Sequence, residues 1–346
     1  MITVNSISGG MTSSFMALEF KAEHNLFACV EQEAYKQPQA AGNHPQKEEI
    51  ISAHNWLRLF HPGFWASAED DRTLVVLHRL SKELADYRHY SGWGGIDVVF
   101  AHNFNECRHD TFDKIAEHFL PNARRRLCTE LLKVFPLYLY CKHYIIGGGF
   151  RIPLNNDPVE MRIGYRLDEL DRTVNLYFKM VETKHRVPDP AFSLQPILDR
   201  YRLPDYIIRW WDRMDVEGMV RRGERVLKEN PFNEYKGDYY RVPSFPLIEH
   251  GITKAEIVKY WNGKPEYQFP PVSNCVMCFH HTIRQLQSQW HNIYNQAKME
   301  WASDAEKNLG KTFLRHFSMD DIKRLPIQTE LEFSDFTGCD SGSCTD

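Results

Sequence analysis

Over the first thirty positions the chain switches pattern twice. ITVNSIS (residues 2–8) is rich in β-branched residues and ends in Gly9-Gly10, the pattern of a strand running into a turn. TSSFMALEFKAEH follows with apolar residues at Phe15, Met16, Ala17 and Phe20, a helical spacing, with Thr12 or Ser13 available as its cap. LFACVEQ then predicts a second short, buried strand. Strand, helix and strand in that order imply a βαβ unit, and so a parallel sheet.

Residues 36–74, rich in Gln, His, Pro and Asp, predict a loop-heavy stretch. RTLVVLHRLSKELADYRHY predicts a helix, and GIDVVFAHN, after the turn-like GWGG, a third strand. DTFDKIAEHFLPNA predicts a helix ended by Pro121, and CTELLKVFPLYLYCKH a helix broken near Pro136. HYIIGGG and MRIGYRL both read as strands. A Pro-punctuated stretch over 177–240, with IIRWWDRMDVEGMVRRGERVLKEN as its longest element, predicts a helical insert. Farther on, Thr253 caps a helix ended by Gly263, and one helix is expected from about Thr282 to Trp301. The tail from Pro326 is acidic and loop-like. The implied division is an α/β domain over 1–176, the insert over 177–240, and a helical, cysteine-bearing part over 241–346 packed on the first domain.

Composition narrows the function classes. With 346 residues, 42% hydrophobic and 25% charged, the chain reads as globular, with room for about two domains. No stretch approaches the roughly 18 apolar residues that span a bilayer, so no membrane partner is expected. The opening residues lack a basic segment before a long apolar core, so a cytoplasmic location is expected. The 42 basic and 46 acidic residues leave a net charge of −4, which excludes wholesale coating of nucleic acid. Local basic runs remain at Arg124–Arg126 and at Arg221, Arg222 and Arg225. Eight cysteines are too sparse for a disulfide scaffold of this length.

The chemistry concentrates in a few segments. SGGMTSS lies between a strand and a helix. Its glycines let backbone approach a ligand, and helix-start amides with neighbouring hydroxyls make an anion cradle. It lacks the GK[ST] ending of a Walker loop, and a plain Gly-rich βα turn is the alternative. GYRLDELDR offers Arg166 and Arg172 as guanidinium forks for phosphate, and Asp168 and Glu169 to hold a metal or orient an arginine. Its alternative is a strand–helix junction with ion pairs. Cys275-Val-Met-Cys278 has a spacing that lets two thiolates meet one metal, with redox use or buried thiols as alternatives. Cys128 stands next to three arginines, while Cys339 and Cys344 lie near the end of the chain. His280 and His281 read as surface residues at a helix start, Cys29 and Cys107 as ordinary buried or loop cysteines, and Trp210-Trp211 as packing.

Taken in order, these segments resemble one family. SGGMTSS resembles the SGGxxS loop of the PP-loop superfamily, the ATP pyrophosphatases and sulfonucleotide reductases with an adenine nucleotide α-hydrolase-like fold. CTELLKVFP, GYRLDELDR, FPLIEHGITKAEIVKYW, SNCVMCF and CDSGSC resemble successive segments of phosphoadenosine phosphosulfate reductase-like proteins of phage and bacterial type. The resemblance implies a Rossmann-like parallel sheet with flanking helices and an adenine nucleotide over the strand ends. Ser8, Gly9, Gly10, Thr12, Ser13 and Ser14 would contact phosphates, with Arg166, Arg172 and Asp168 as catalytic groups. Cys128, Cys275, Cys278 and Cys344, or Cys339 in place of the last, would hold a [4Fe–4S] cluster or Zn²⁺. Met11-Thr12 stands where many catalytic loops carry Lys-Asp, and the Glu-Cys-Gly-Leu segment of sulfonucleotide reductases is absent. The implied activity is ATP- and Mg²⁺-dependent adenylation with pyrophosphate release for sulfur transfer, with nucleic acid or a sulfur-donor protein as partner. The alternatives are a reductase acting on APS or PAPS, and a non-catalytic nucleotide-binding protein with structural zinc.

Overall fold

The computed structural model describes residues 1–32, 44–85, 95–122, 126–146, 158–170, 172–173, 176, 240–272 and 274–326. The expected insert up to residue 239, Arg124 and Arg125, Arg221, Arg222 and Arg225, Trp210-Trp211, Cys339 and Cys344 lie outside them. The framework is a five-stranded, all-parallel sheet with helices on both faces: β1 (Thr3–Ile7), β2 (His24–Cys29), β3 (Asp97–Phe100), β4 (Val159–Arg162) and β5 (Arg241–Ser244). Its spatial order is β3-β2-β1-β4-β5. In register, Ser6 pairs with Leu26 and Val4 with Met161.

Strand alternation divides the interior into two layers. Leu26, Ala28 and Val99 face one core, and Phe27, Cys29, Val98 and Phe100 face the other. Both faces being apolar is what a parallel sheet covered on both sides requires. The second core is closed by α1 (Met11–Glu19), α2 (Lys47–Arg58) and α3 (Asp71–Ala85), which bury Met16, Ile50, Leu57, Leu74 and Leu80, and by the later helix α8 (Lys254–Asn262), which buries Ile257 and Trp261. The first is closed by α4 (Phe112–Ala116) and by a long helical run. That run starts as α5 (Leu127–Thr129), widens to π-helix over Glu130–Val134, becomes α6 (Phe135–Tyr140) and widens again over Cys141–Ile146. Between β5 and α8 lies α7 (Pro246–Glu249). The C-terminal helices α9 (Ile283–His291), α10 (Gln296–Leu309) and α11 (Met319–Arg324) pack on the first core through Leu286, Trp290, Met299 and Ile322.

Several expectations change. The stretch 36–74 contains α2 and the start of α3, because Ile50, Ala53 and Leu57 form a buried helical stripe inside a polar composition. The helix is not broken at Pro136. Proline falls in the first turn of α6, where the bonding register shifts from π to α and its missing N–H removes no interior bond. Residues 143–146 of the expected HYIIGGG strand continue that helix. The helix expected over 282–301 is two, α9 and α10, separated at Asn292. β5 was not foreseen, and the sheet takes its last strand from the stretch expected to be a helical C-terminal part. The expected cap of α8 is present: the Thr253 N–H donates to Glu256 at 2.7 Å, within a reciprocal capping box. Among the described residues no helix is long and apolar enough to cross a membrane.

Candidate functional site

β1 is the strand at which the sheet changes direction. The chain steps from β1 to β2 and β3 on one side, then returns to β4 and β5 on the other. In open α/β sheets such a reversal leaves a crevice beyond the carboxyl ends of the two central strands. Ser8–Ser14 follows β1, and Gly164–Arg166 follows β4, so the fold brings together two segments that sequence reasoning had singled out separately.

The loop is held by close packing and by its own hydroxyls. Gly9 has φ 79°, in the left-handed region, and a Cβ there would stand 2.5 Å from Cγ2 of Thr73 and 3.1 Å from the Leu77 side chain. Gly10, not Thr12 or Ser13, is the N-cap of α1, with extended backbone and no side-chain cap on the helix start. Ser13 Oγ accepts from the Ser8 N–H at 3.1 Å, lies 2.9 Å from Ser8 Oγ and donates to the Gly10 carbonyl at 3.3 Å. Ser14 Oγ is buried and makes no hydrogen bond. A Cβ on Gly164 would stand 3.3 Å from Cα of Ser13, so β4's exit presses against the loop. The Trp261 indole N–H donates to the Met11 carbonyl at 2.9 Å, pinning α8 to the first turn of α1. A helix start without a side-chain cap, beside an orphaned buried hydroxyl, fits the phosphate of a nucleotide.

Arg166 joins the two segments. Its guanidinium donates to Thr12 Oγ1 at 2.9 Å and forks onto Asp168 at 3.2 and 3.3 Å, with Glu169 3.5 Å away. It is 5% exposed, so the fork is buried, and its carboxylates supply the compensation that burial demands. Asp168 also accepts the Lys254 N–H at 3.1 Å, placing a carboxylate at the N-terminus of α8. Arg172 pairs with Glu169 at 2.7 Å, and its guanidinium lies 4.6 Å from the Tyr165 ring centre. Arg166, Arg172 and Asp168 are thus one connected ion-pair cluster at the switch point. Within it, Arg166 fixes Thr12 and Asp168 anchors a helix.

The cysteine segments also meet. Cys128, Cys275 and Cys278 line one cavity with Arg126, Thr129, Lys133 and His280, walled by Val30, Met277 and Phe279. It offers about 30 Å³ to the centre of a water-sized sphere. Nε of Arg126 is buried there without a hydrogen-bond partner. Three thiols beside two cations suit an anionic, thiolate-held group. Among the described residues no three His, Cys, Asp or Glu side chains are grouped to hold one ion. The remaining cysteines differ. Burial, with Glu69 nearby, pushes the Cys29 thiol well up, and burial raises Cys107 and Cys141 to about 12, which keeps these thiols neutral. His280 and His281 are not surface residues: His280 is half-buried on the cavity wall and His281 is 4% exposed.

A buried polar network missed by sequence reasoning lies behind the cavity. Lys133 pairs with Glu69 at 3.0 Å, while the fully buried Lys298 donates to the Glu69 carbonyl at 2.5 Å and approaches Asp71 at 3.3 Å. Despite a desolvation penalty that acts upward, Lys298 and His54 hold the Asp71 carboxyl far below the usual range. Asp70 is also held low, by the Arg72 fork and by Asn295, against the same penalty. Next to the cysteine pair, the Asn274 side-chain amide donates to the Ser8 carbonyl at 2.5 Å. Asn274, Asn295 and Lys298 each reach a partner more than 200 positions away in sequence, where no local periodicity could signal it. No family model, no curated protein and no solved structure matches the chain.

Proposed function

We propose that the chain is an adenine-nucleotide-dependent enzyme of the PP-loop type that activates a substrate by adenylation, with pyrophosphate release, for sulfur transfer. The observation that carries this reading is the meeting of SGGMTSS with Arg166 at the reversal of the sheet, sealed by the Arg166–Thr12 hydrogen bond. ATP with Mg²⁺, when bound, supplies the adenylyl group that turns a poor leaving oxygen into a good one. The chain's own residues do the rest. The start of α1 and Ser14 take the phosphates, Gly9 and Gly10 admit them, and Arg166, itself paired with Asp168 and Glu169, holds Thr12 in place. Cys128, Cys275 and Cys278, with Cys344 or Cys339, would hold the iron–sulfur cluster or zinc. A cluster would supply a redox or sulfide-binding centre, and zinc a structural clamp. The partner proposed with this activity is nucleic acid as acceptor or a sulfur-donor protein.

The test pairs binding with turnover. Calorimetry should show ATP binding to the purified protein, and Gly10→Val should weaken it by at least about tenfold, or roughly 1.4 kcal/mol, in a variant that still folds. Pyrophosphate should be released from ATP in the presence of acceptor. Unchanged affinity in folded Gly10→Val removes the loop assignment. Thiol-dependent sulfite release from APS or PAPS, without pyrophosphate release from ATP, would replace adenylation by reduction.

A further inference from the structure

Asn274, the residue immediately before the CxxC segment, is in hydrogen-bond contact with the loop at the other end of the proposed site. Its side-chain amide donates to the Ser8 carbonyl at 2.5 Å, and its side-chain oxygen accepts from the Thr73 hydroxyl at 3.5 Å. Its own carbonyl accepts from the Asp70 N–H at 2.6 Å. Thr73, in turn, is the residue whose methyl closes over Gly9. One position later, Cys275 forms a β-bridge with Glu69, and the Val276 N–H donates to the Ala68 carbonyl at 3.1 Å. Residues 274–276 therefore lie as a short added strand along 68–70. One end of it touches the loop, and the other enters the cysteine cavity.

A peptide unit is planar, with its C=O and N–H on opposite sides. Holding the Ser8 carbonyl on Asn274 therefore turns the Gly9 N–H the other way and fixes the loop's conformation at its most strained residue. Any displacement of Cys275 that shifts Asn274 must release or strain that peptide. Glu69 makes the added strand stiff, since it is fully buried, paired with Lys133 and hydrogen-bonded by Ser67.

Building on the proposed nucleotide and cysteine sites, we infer that Asn274 couples them: the loop's affinity for a nucleotide depends on the chemical state of the cysteine pair, and nucleotide binding changes the reactivity of Cys275. The coupling runs in both directions, and the nucleotide changes a rate at Cys275 while the state of Cys275 changes an affinity, so the two factors differ in size. Asn274 acts here as a positioning residue through Ser8 and needs no contact with the nucleotide. The arrangement gives the enzyme a means to bind its nucleotide tightly in only one state of the cysteine centre.

The experiment uses the full chain as isolated, with ATP as probe and iodoacetamide as thiol reagent. Alkylation of Cys275 is followed residue by residue by mass spectrometry with and without saturating ATP, and ATP affinity is measured by calorimetry before and after alkylation. ATP should change the Cys275 alkylation rate by about fivefold or more, and alkylation should separately weaken ATP binding by at least about fivefold, the low end of typical coupling. In Asn274→Ala both factors should fall toward one while ATP still binds. Thr73→Val keeps the shape over Gly9 and removes only the hydroxyl, so it should lower both factors at least about twofold even if Asn274→Ala fails to fold. ATP binding with no effect on Cys275 overturns the coupling alone, as do factors undiminished in both variants. Absence of ATP binding to any form overturns the nucleotide reading, and the coupling with it.

Discussion

The loop after β1 and the cysteine cavity solve the problem of buried polarity in opposite ways. At the loop, Ser8, Thr12 and Ser13 are each below 5% exposed and satisfied by one another, by Gly10 or by Arg166. At the cavity, thiols and cations share a small space, and the Arg126 Nε is buried without a hydrogen bond. Apart from the Ser14 hydroxyl, the loop's polar side chains are satisfied within the protein, so its conformation is set by its own hydrogen bonds. At the cavity Lys133 is paired with Glu69, and the unsatisfied group is the single Nε of Arg126, a buried donor whose desolvation is not repaid among the described residues. The 68–70 segment thus separates a loop held by its own hydrogen bonds from a cavity in which one buried donor has no partner among the described residues.

The strongest way to break this contrast is to remove the network between them. Lys298 is fully exposed to neither water nor ligand; its ammonium compensates Asp71 and the Glu69 carbonyl inside the protein. Lys298→Met fills the space but removes the ammonium paired with the buried Asp71 carboxylate, leaving His54 at 3.6 Å. A loss of about 3–5 kcal/mol is expected from orphaning a buried charge, measured by urea unfolding at pH 7. Because Asp71 is held low in the folded state, its contribution is present above the ordinary carboxylate range and lost as pH falls through the lowered folded value. In Lys298→Met that acid limb should move to higher pH. A loss below about 1 kcal/mol would show that the network is not what holds the two regions together.

A smaller effect is expected within the loop. Gly9→Ala must adopt φ 79° and push against Thr73 Cγ2 at 2.5 Å. The left-handed conformation costs about 1–2 kcal/mol and the overpacking about 1–3 kcal/mol. Thr73→Ser removes that methyl group, so the double variant should recover the steric part and keep the conformational part. Additive losses in the double-mutant cycle would mean that Thr73 does not set the space over Gly9.

How much of this could be read from the chain alone depended on the range of the interactions. β1, the glycine loop, α1, β2, β3 and β4 were visible because each is coded by a few neighbouring residues. So was the Thr253 cap, whose partner Glu256 lies one turn away. The segments SGGMTSS, GYRLDELDR and Cys275–Cys278 were recognisable as chemistry, but their convergence on two ends of one added strand was not. α2 was hidden because its apolar stripe is narrow and its other faces are polar. Pro136 misled because a π turn upstream absorbs its missing donor. Asn274 and Lys298 carry ordinary polar side chains whose roles come only from partners on distant strands and helices. Asp168 drew attention for its chemistry, and its position shows the additional work of anchoring α8.

The smallest predicted effect tests the cavity side of the contrast. Arg126 is half-buried at the start of α5, lines the cavity beside Cys128, and its Nε lacks a hydrogen bond. A guanidinium whose buried Nε makes no hydrogen bond gains little from burial, so Arg126→Met should change stability by no more than about 1 kcal/mol, in the range of ordinary surface substitutions or slightly above. Its charge should act on the thiols instead, because a nearby cation favours the reactive thiolate. In the isolated protein at pH 7, alkylation of Cys128 should therefore slow by about threefold or more in Arg126→Met and by much less in Arg126→Lys. Raising the salt should narrow the difference only partly, since a group lining a cavity is screened less than an exposed one. Equal alkylation rates in wild type and Arg126→Met would remove the electrostatic role of Arg126. A large loss of stability would make it a structural residue like Lys298, and the contrast between the loop and the cavity would then fail at the residue that defines it.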